Sequence, residues 1–135
     1  MVGRKIFVVI AALTVVSSYY AVKYVTSGAA NYVTSHGGTV SWSDGVAFVV
    51  WQNASLADSD LDCLSKIRCL TLLDIEGNPK ISDLGLQAIA RNANDLSILH
   101  LEGTGVTQGG VIQFINRFPR CDFRWQGRYW STAQM

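Results

Sequence analysis

Two nine-residue stretches of this chain repeat at an offset of 26 residues. Leu70-Thr71-Leu72-Leu73-Asp74-Ile75-Glu76-Gly77-Asn78 returns as Leu96-Ser97-Ile98-Leu99-His100-Leu101-Glu102-Gly103-Thr104, and both read L-x-x-L-x-[IL]-E-G-[NT]. The residues that follow recur as well: residues 81–86 match residues 106–111 at an offset of 25, with the difference absorbed around Pro79 and Lys80. A degenerate copy lies upstream, where Val49 and Trp51 stand at the places of Leu73 and Ile75. In that copy Leu56, Asp58, Leu61 and Leu64 stand at the places of Ile81, Asp83, Leu86 and Ile89. A partial copy ends at Phe118-Pro119-Arg120-Cys121-Asp122-Phe123. A unit this short cannot bury its own apolar face, so copies have to stack and share a core.

Within each copy the L-x-L segment reads as a short strand whose alternate residues face inward. Ser82 and Thr107 are placed to cap a helix, and Asp83 suits the positive first turn. Leu86 and Ile89, and likewise Val111, Phe114 and Ile115, give that helix an apolar face. Leu101-Glu102-Gly103-Thr104-Gly105-Val106-Thr107-Gln108-Gly109-Gly110-Val111 resembles the L-x-G-T-x-V-T-D-x-G-[LV] pattern of bacterial leucine-rich repeat proteins, notably those of planctomycete type. Asp83-Leu84-Gly85-Leu86 fits the same D-x-G-L slot, and Gln108 departs from it. Residues 118–123 resemble the terminating L-P-x-C-x-[IV], and residues 37–46 the G-G-x-V opening of such arrays. The resemblance implies an α/β fold: a short leucine-rich repeat solenoid of about three to four strand–turn–helix repeats.

Arg4 and Lys5 precede an apolar stretch over residues 6–25, which as a helix is roughly 30 Å long, enough for a hydrocarbon core. Tyr19, Tyr20 and Tyr24 cluster at its far end, where an aromatic belt lies, and Lys23 can snorkel. The expected organisation is a single transmembrane anchor over residues 1–27, a capping helix and strand over 28–45, the repeats over 46–125 and a tail over 126–135. Ala29, Tyr32, Val33 and His36 share one face of the capping helix, and no structure is assigned to the tail. The charge bias places the N-terminus in the cytoplasm and the repeats in the periplasm. The alternative is a signal peptide cut after Ser18 or Ala30, releasing a secreted or periplasmic recognition domain.

Nothing in the sequence marks an enzyme. It holds two histidines, His36 and His100, and carries neither a G-x-S-x-G, an H-E-x-x-H nor a phosphate loop. A net charge of +1 points to no polyanionic partner. Cys63, Cys69 and Cys121 form no C-x-x-C pair and read as small buried apolar residues. No cofactor and no metal are called for. One weaker alternative is a small metal-binding protein or enzyme: the repeat offset sets Asp74 beside His100 and Glu76 beside Glu102, and Asp74, His100 and Glu102 would be its ligands.

Period-2 geometry then defines a surface. With Leu73, Ile75, Leu99 and Leu101 inward, Leu72 and Ile98 point outward, and Phe48 holds the matching place in the degenerate copy. Val50, Asp74 and His100 flank this row. Phe48, Val50, Leu72, Asp74, Ile98 and His100 are therefore the expected partner-binding residues, since a contiguous exposed apolar strip marks a contact surface. The expected function is a non-catalytic protein–protein interaction module, an accessory or scaffolding subunit of a membrane-associated complex.

Overall fold

The computed structural model describes residues 28–131. Residues 28–35 form helix α1. The strands are β1 (Thr39–Ser43), β2 (Val46–Val50), β3 (Leu70–Asp74), β4 (Ile98–His100), β5 (Asp122–Trp125) and β6 (Arg128–Trp130). They build one six-stranded sheet in sequence order. Pairing is parallel from β2 to β5, and antiparallel at both edges, where β1 joins β2 and β6 joins β5. A 3₁₀ helix, η1 (Asp58–Lys66), links β2 to β3; α2 (Asp83–Asn92) links β3 to β4, and α3 (Gln108–Arg117) links β4 to β5.

Apolar spacing explains the two helix types. In η1 and just beyond it, the buried residues Leu61, Leu64 and Ile67 recur every third position. Three residues per turn puts all of them on one side of a 3₁₀ helix. In α2 and at its C-cap, Leu86, Ile89, Ala90 and Ala93 follow the i, i+3, i+4, i+7 pattern of an α-helix and are buried. The inward strand residues Val49, Leu73, Leu99 and Phe123 lie side by side in register. The helices cover them, and each is at most 2% exposed.

Polar side chains tie successive units together. Asn78 is fully buried. Its Oδ1 accepts from Ala54 N at 3.0 Å and Leu56 N at 3.1 Å, and its Nδ2 donates to Trp51 O and Ile75 O, each at 2.8 Å. Asp58 accepts from Ser82 N at 2.8 Å and Ser82 Oγ at 2.6 Å; Asp83 does the same for Thr107 N and Thr107 Oγ1 at the same distances. Ser82 and Thr107 in turn cap α2 and α3 by accepting from Leu84 N and Gly110 N. A Cβ at position 110 would collide with the Asp83 carboxylate, and one at position 85 with Asp58 Oδ1. The D-x-G spacing thus has a steric cause: each aspartate reaches over to the next helix, where only glycine leaves room for it.

Both ends are closed by aromatic contacts. Tyr32 of α1 stacks on His36 at 4.1 Å and meets the Trp51 ring edge-on. Its hydroxyl donates to Asp60 Oδ1 at 2.6 Å, and Trp51 Nε1 donates to His36 O at 2.9 Å. At the other end Trp130 of β6 stacks on Phe123 at 5.8 Å.

This architecture corrects two expectations. The described residues form a mixed α/β domain with a single mixed sheet, not a solenoid of three to four leucine-rich repeats behind a transmembrane helix. Among the described residues, strand–turn–α-helix units occur only as β3–α2 and β4–α3. The upstream copy carries a 3₁₀ helix instead, the last copy contributes a strand alone, and the antiparallel edges stop the parallel stacking on both sides. No helix among the described residues is long and apolar enough to cross a membrane. On that finding the single-pass membrane assignment, and with it the cytoplasmic N-terminus and periplasmic domain, is not supported among the described residues. Residues 6–25, on which the anchor was placed, lie outside the described residues. Residues 28–45 and the tail up to Trp130 supply β1 and β6, and so belong to the same sheet as the repeated segments.

Candidate functional site

All helices between the parallel strands pack on one side of the sheet, so the alternate side chains of β2 to β5 form its other face. The register arranges that face in rows. Phe48 aligns with Leu72, Leu72 with Ile98, and Ile98 with Asp122. The next row runs Val50, Asp74, His100 and Arg124. Backbone pairing continues beyond the strands, with Asn53 N donating to Glu76 O and Gly77 N to Glu102 O, which brings Gln52, Glu76 and Glu102 into a third row.

The six sequence-derived residues all fall on this face, with unequal exposure. Phe48, Leu72 and Ile98 are partly buried, and Val50 is 38% exposed. Asp74 is only 7% exposed. Its carboxylate serves its neighbours: Oδ2 accepts from Gln52 Nε2 at 2.6 Å and lies 3.4 Å from His100 Nδ1, while Oδ1 accepts from Glu76 N at 3.1 Å. Asp74 therefore positions Gln52 and His100 from beneath. The β5–β6 hairpin continues the sheet at its edge. Tyr129 pairs with Arg124 across the hairpin, and its hydroxyl donates to Asp122 Oδ2 at 3.2 Å. Burial, then the Asp122 charge and this hydrogen bond, raise the Tyr129 pKa above the usual phenol value.

A compact ligand set stands beside the apolar row. Asp74, Glu76 and His100 each offer a donor atom, and the three atoms lie within 4.8 Å of one another. Glu76 Oε1 is sealed from solvent and has no hydrogen-bond partner; Arg124 NH1 stands 3.6 Å from it. Glu102, a ligand in the sequence-based alternative, is not in this group, because its Oε2 accepts from Gly127 N at 2.7 Å in the β5–β6 turn. Glu76 takes its place.

Sequence reading set Glu76 on this face beside Glu102 but missed Gln52 and Arg124 as members of it. The signal was present: Gln52 follows Trp51 as Glu76 follows Ile75, and Arg124 follows Phe123 as His100 follows Leu99. The cysteines take no part. Burial pushes the Cys63 thiol up to about 11, helped by Asp60 and Asp62, and burial with Asp122 pushes Cys121 up to about 12. Both stay protonated at neutral pH, which makes them poor nucleophiles and poor metal ligands. The helical side carries a shallow groove of about 210 Å³ between α2 and α3, whose lining includes Leu86, Ala90, Phe114 and Arg117. No cluster of metal-ligating side chains occurs there among the described residues.

Comparison with protein families, with curated proteins and with solved structures finds no match for this chain.

Proposed function

We propose that the open face of the sheet is a protein-binding surface, with Phe48, Leu72 and Ile98 as apolar anchors. The observation that carries this reading is their alignment in one row on the face opposite the helices, continued by Val50 in the next row. An apolar row on a helix-free face stabilises a complex more than it stabilises the free domain. Around it stand four carboxylates, Asp74, Glu76, Glu102 and Asp122, against Arg124 and His100. Charge complementarity selects a partner that brings apolar side chains together with a basic group.

The test compares two double substitutions in the full chain. Leu72→Ser with Ile98→Ser should weaken partner association by about 2 kcal/mol or more, the scale of central interface anchors. Leu84→Ser with Ile112→Ser should leave it unchanged, although Leu84 and Ile112 are 64% and 51% exposed on the helical side. Loss of capture with the helical pair and retention with the sheet pair would place the contact on the helices and defeat the reading.

A further inference from the structure

The two edges of the sheet end unequally. Strands β1 and β2 are joined through Asp44 and Gly45, with φ of 51° and 82°. Two positive φ values make a type I′ turn, which closes on a hydrogen-bonded pair, here Ser43 with Val46. Alternation makes Ser41–Phe48 and Thr39–Val50 hydrogen-bonded pairs too, so the N–H and C=O of Val40 and Trp42 point away from β2. The β2–β3 bonds agree: Ala47 N and Trp51 N donate towards β3, which leaves Val46, Phe48 and Val50 for β1. Among the described residues no strand pairs with the outer side of β1. At the other edge Gln126 and Gly127 make the same turn, so β6 turns only Tyr129 outward, beside the charge of Arg128. Strand β1 has none of the features that protect an edge, being free of charge, proline and bulge. Its Trp42 is 48% exposed.

We propose that β1 is a self-association edge, pairing antiparallel with β1 of a second copy about a two-fold axis at Ser41. Within β1, this register alone lets every outward group bond, because it sets Val40 opposite Trp42 of the second copy and Trp42 opposite its Val40. Opposite residues share a face, so the pairing also makes two β-branched–aromatic cross-strand contacts. Charge fits a second copy as well. Strand β1 is neutral, and Asp44, the adjacent carboxylate, falls opposite Gly38 in this register, so the two Asp44 side chains lie at opposite ends of the pair. The two sheets become one, with both sets of helices on the same side. The proposal does not rest on the protein-binding reading, because edge pairing leaves the open face free.

Sedimentation of the full chain from about 10 μM to about 1 mM should show a reversible monomer–dimer equilibrium, since an interface of one strand pair is small and weak. Val40→Pro removes an N–H that β2 does not use. By symmetry it deletes two inter-copy hydrogen bonds, so it should weaken dimerisation by at least about tenfold. Trp42→Lys should weaken it too, by charging the edge. Circular dichroism checks that both variants are folded. Ser41→Cys in a Cys69→Ser chain reads the register directly. Mild oxidation should link two copies, because position 41 faces itself in a non-hydrogen-bonded pair with Cβ atoms about 4.5–5.5 Å apart. Thr39→Cys in the same chain should not link, because position 39 faces position 43. A chain that stays monomeric over the whole range and links at neither position overturns the proposal and leaves the edge to a strand of another protein. Equal linking at both positions overturns it as well. So does a dimer that survives both edge substitutions but is lost in Leu72→Ser with Ile98→Ser, which would place the contact on the open face.

Discussion

The two faces of the sheet are built from the same strands and differ in what their side chains meet. On the helical face Val49, Leu73, Leu99 and Phe123 are sealed by η1, α2 and α3, and nothing polar interrupts them. On the open face their immediate neighbours, Phe48, Leu72 and Ile98, stay partly exposed beside a buried carboxylate, an imidazole and the Glu76–Arg124 ion pair. A one-residue step along each strand separates a surface that stabilises the domain from one whose favourable contacts are incomplete. The difference teaches that stability and recognition can be assigned here by parity along a strand, and that substitutions should divide the same way.

The sharpest break in this comparison comes from the sealed face. Leu99→Ala should destabilise the domain by about 2–5 kcal/mol, because a fully buried side chain leaves a cavity that the flanking strands cannot close. Chemical denaturation reads this directly. A loss below about 1 kcal/mol would mean that the inward register is off by one residue.

Asn78→Ala tests the polar links between units. It strips the acceptor from Ala54 N and Leu56 N and the donor from Trp51 O and Ile75 O, all in one step. A loss of about 2–4 kcal/mol is expected, since each orphaned buried group costs on the order of 1–3 kcal/mol and carbonyls find partial replacements. Asn78→Asp keeps the acceptor but sets a carboxylate oxygen against Trp51 O and Ile75 O in a buried site, so it should destabilise at least as much as Ala in the same melt.

On the open face Leu72→Ser with Ile98→Ser should cost less than Leu99→Ala alone, about 1 kcal/mol per partly buried side chain. Its larger effect should be on partner binding. Equal destabilisation by the open-face pair and by Leu99→Ala would erase the contrast between faces.

The smallest effect sharpens the edge of the domain. In Asp60, burial acts to raise the carboxyl pKa, but the Tyr32 hydroxyl, the Ala57 N–H and nearby His36 outweigh it and hold the value below the usual range. Stability from this group is therefore present above the unfolded carboxyl pKa of about 4 and lost as pH falls through the lower folded value. Tyr32 itself is raised by its hydrogen bond to Asp60, then by burial and the Asp60 charge. Its contribution is intact below about pH 10 and lost as pH rises through the higher folded value. Tyr32→Phe should remove the hydrogen bond behind both trends and lower Tm by on the order of 1–2 °C at neutral pH, the scale of a small surface change. Thermal melts across pH check it; an unchanged acid limb in Tyr32→Phe would show that the bond contributes nothing.

Much of the candidate site was legible from the chain. The 26-residue offset places Asp74 beside His100 and Leu72 beside Ile98, because parallel strands built from equal repeats must align equivalent positions. Alternation then divides inward from outward residues, since the side-chain period of a strand is a local property of the backbone. These inferences need no knowledge of the third dimension beyond that period. The sheet's ends and the ligand set required more. No repeat announces the antiparallel turns that bring β1 and β6 to the edges, because each strand pairs with one neighbour through a short turn of its own. Glu76 and Glu102 are equivalent in sequence, yet Glu102 turns to the Gly127 N–H and Glu76 to the Asp74–His100 cluster. The hairpin that attracts Glu102 exists only on the β5 side of the sheet. Position along the chain determined which residues share a face, because backbone periodicity is local. Which carboxylate serves which partner was decided by tertiary contacts, because a rotatable side chain goes to whatever donor the fold happens to bring near it.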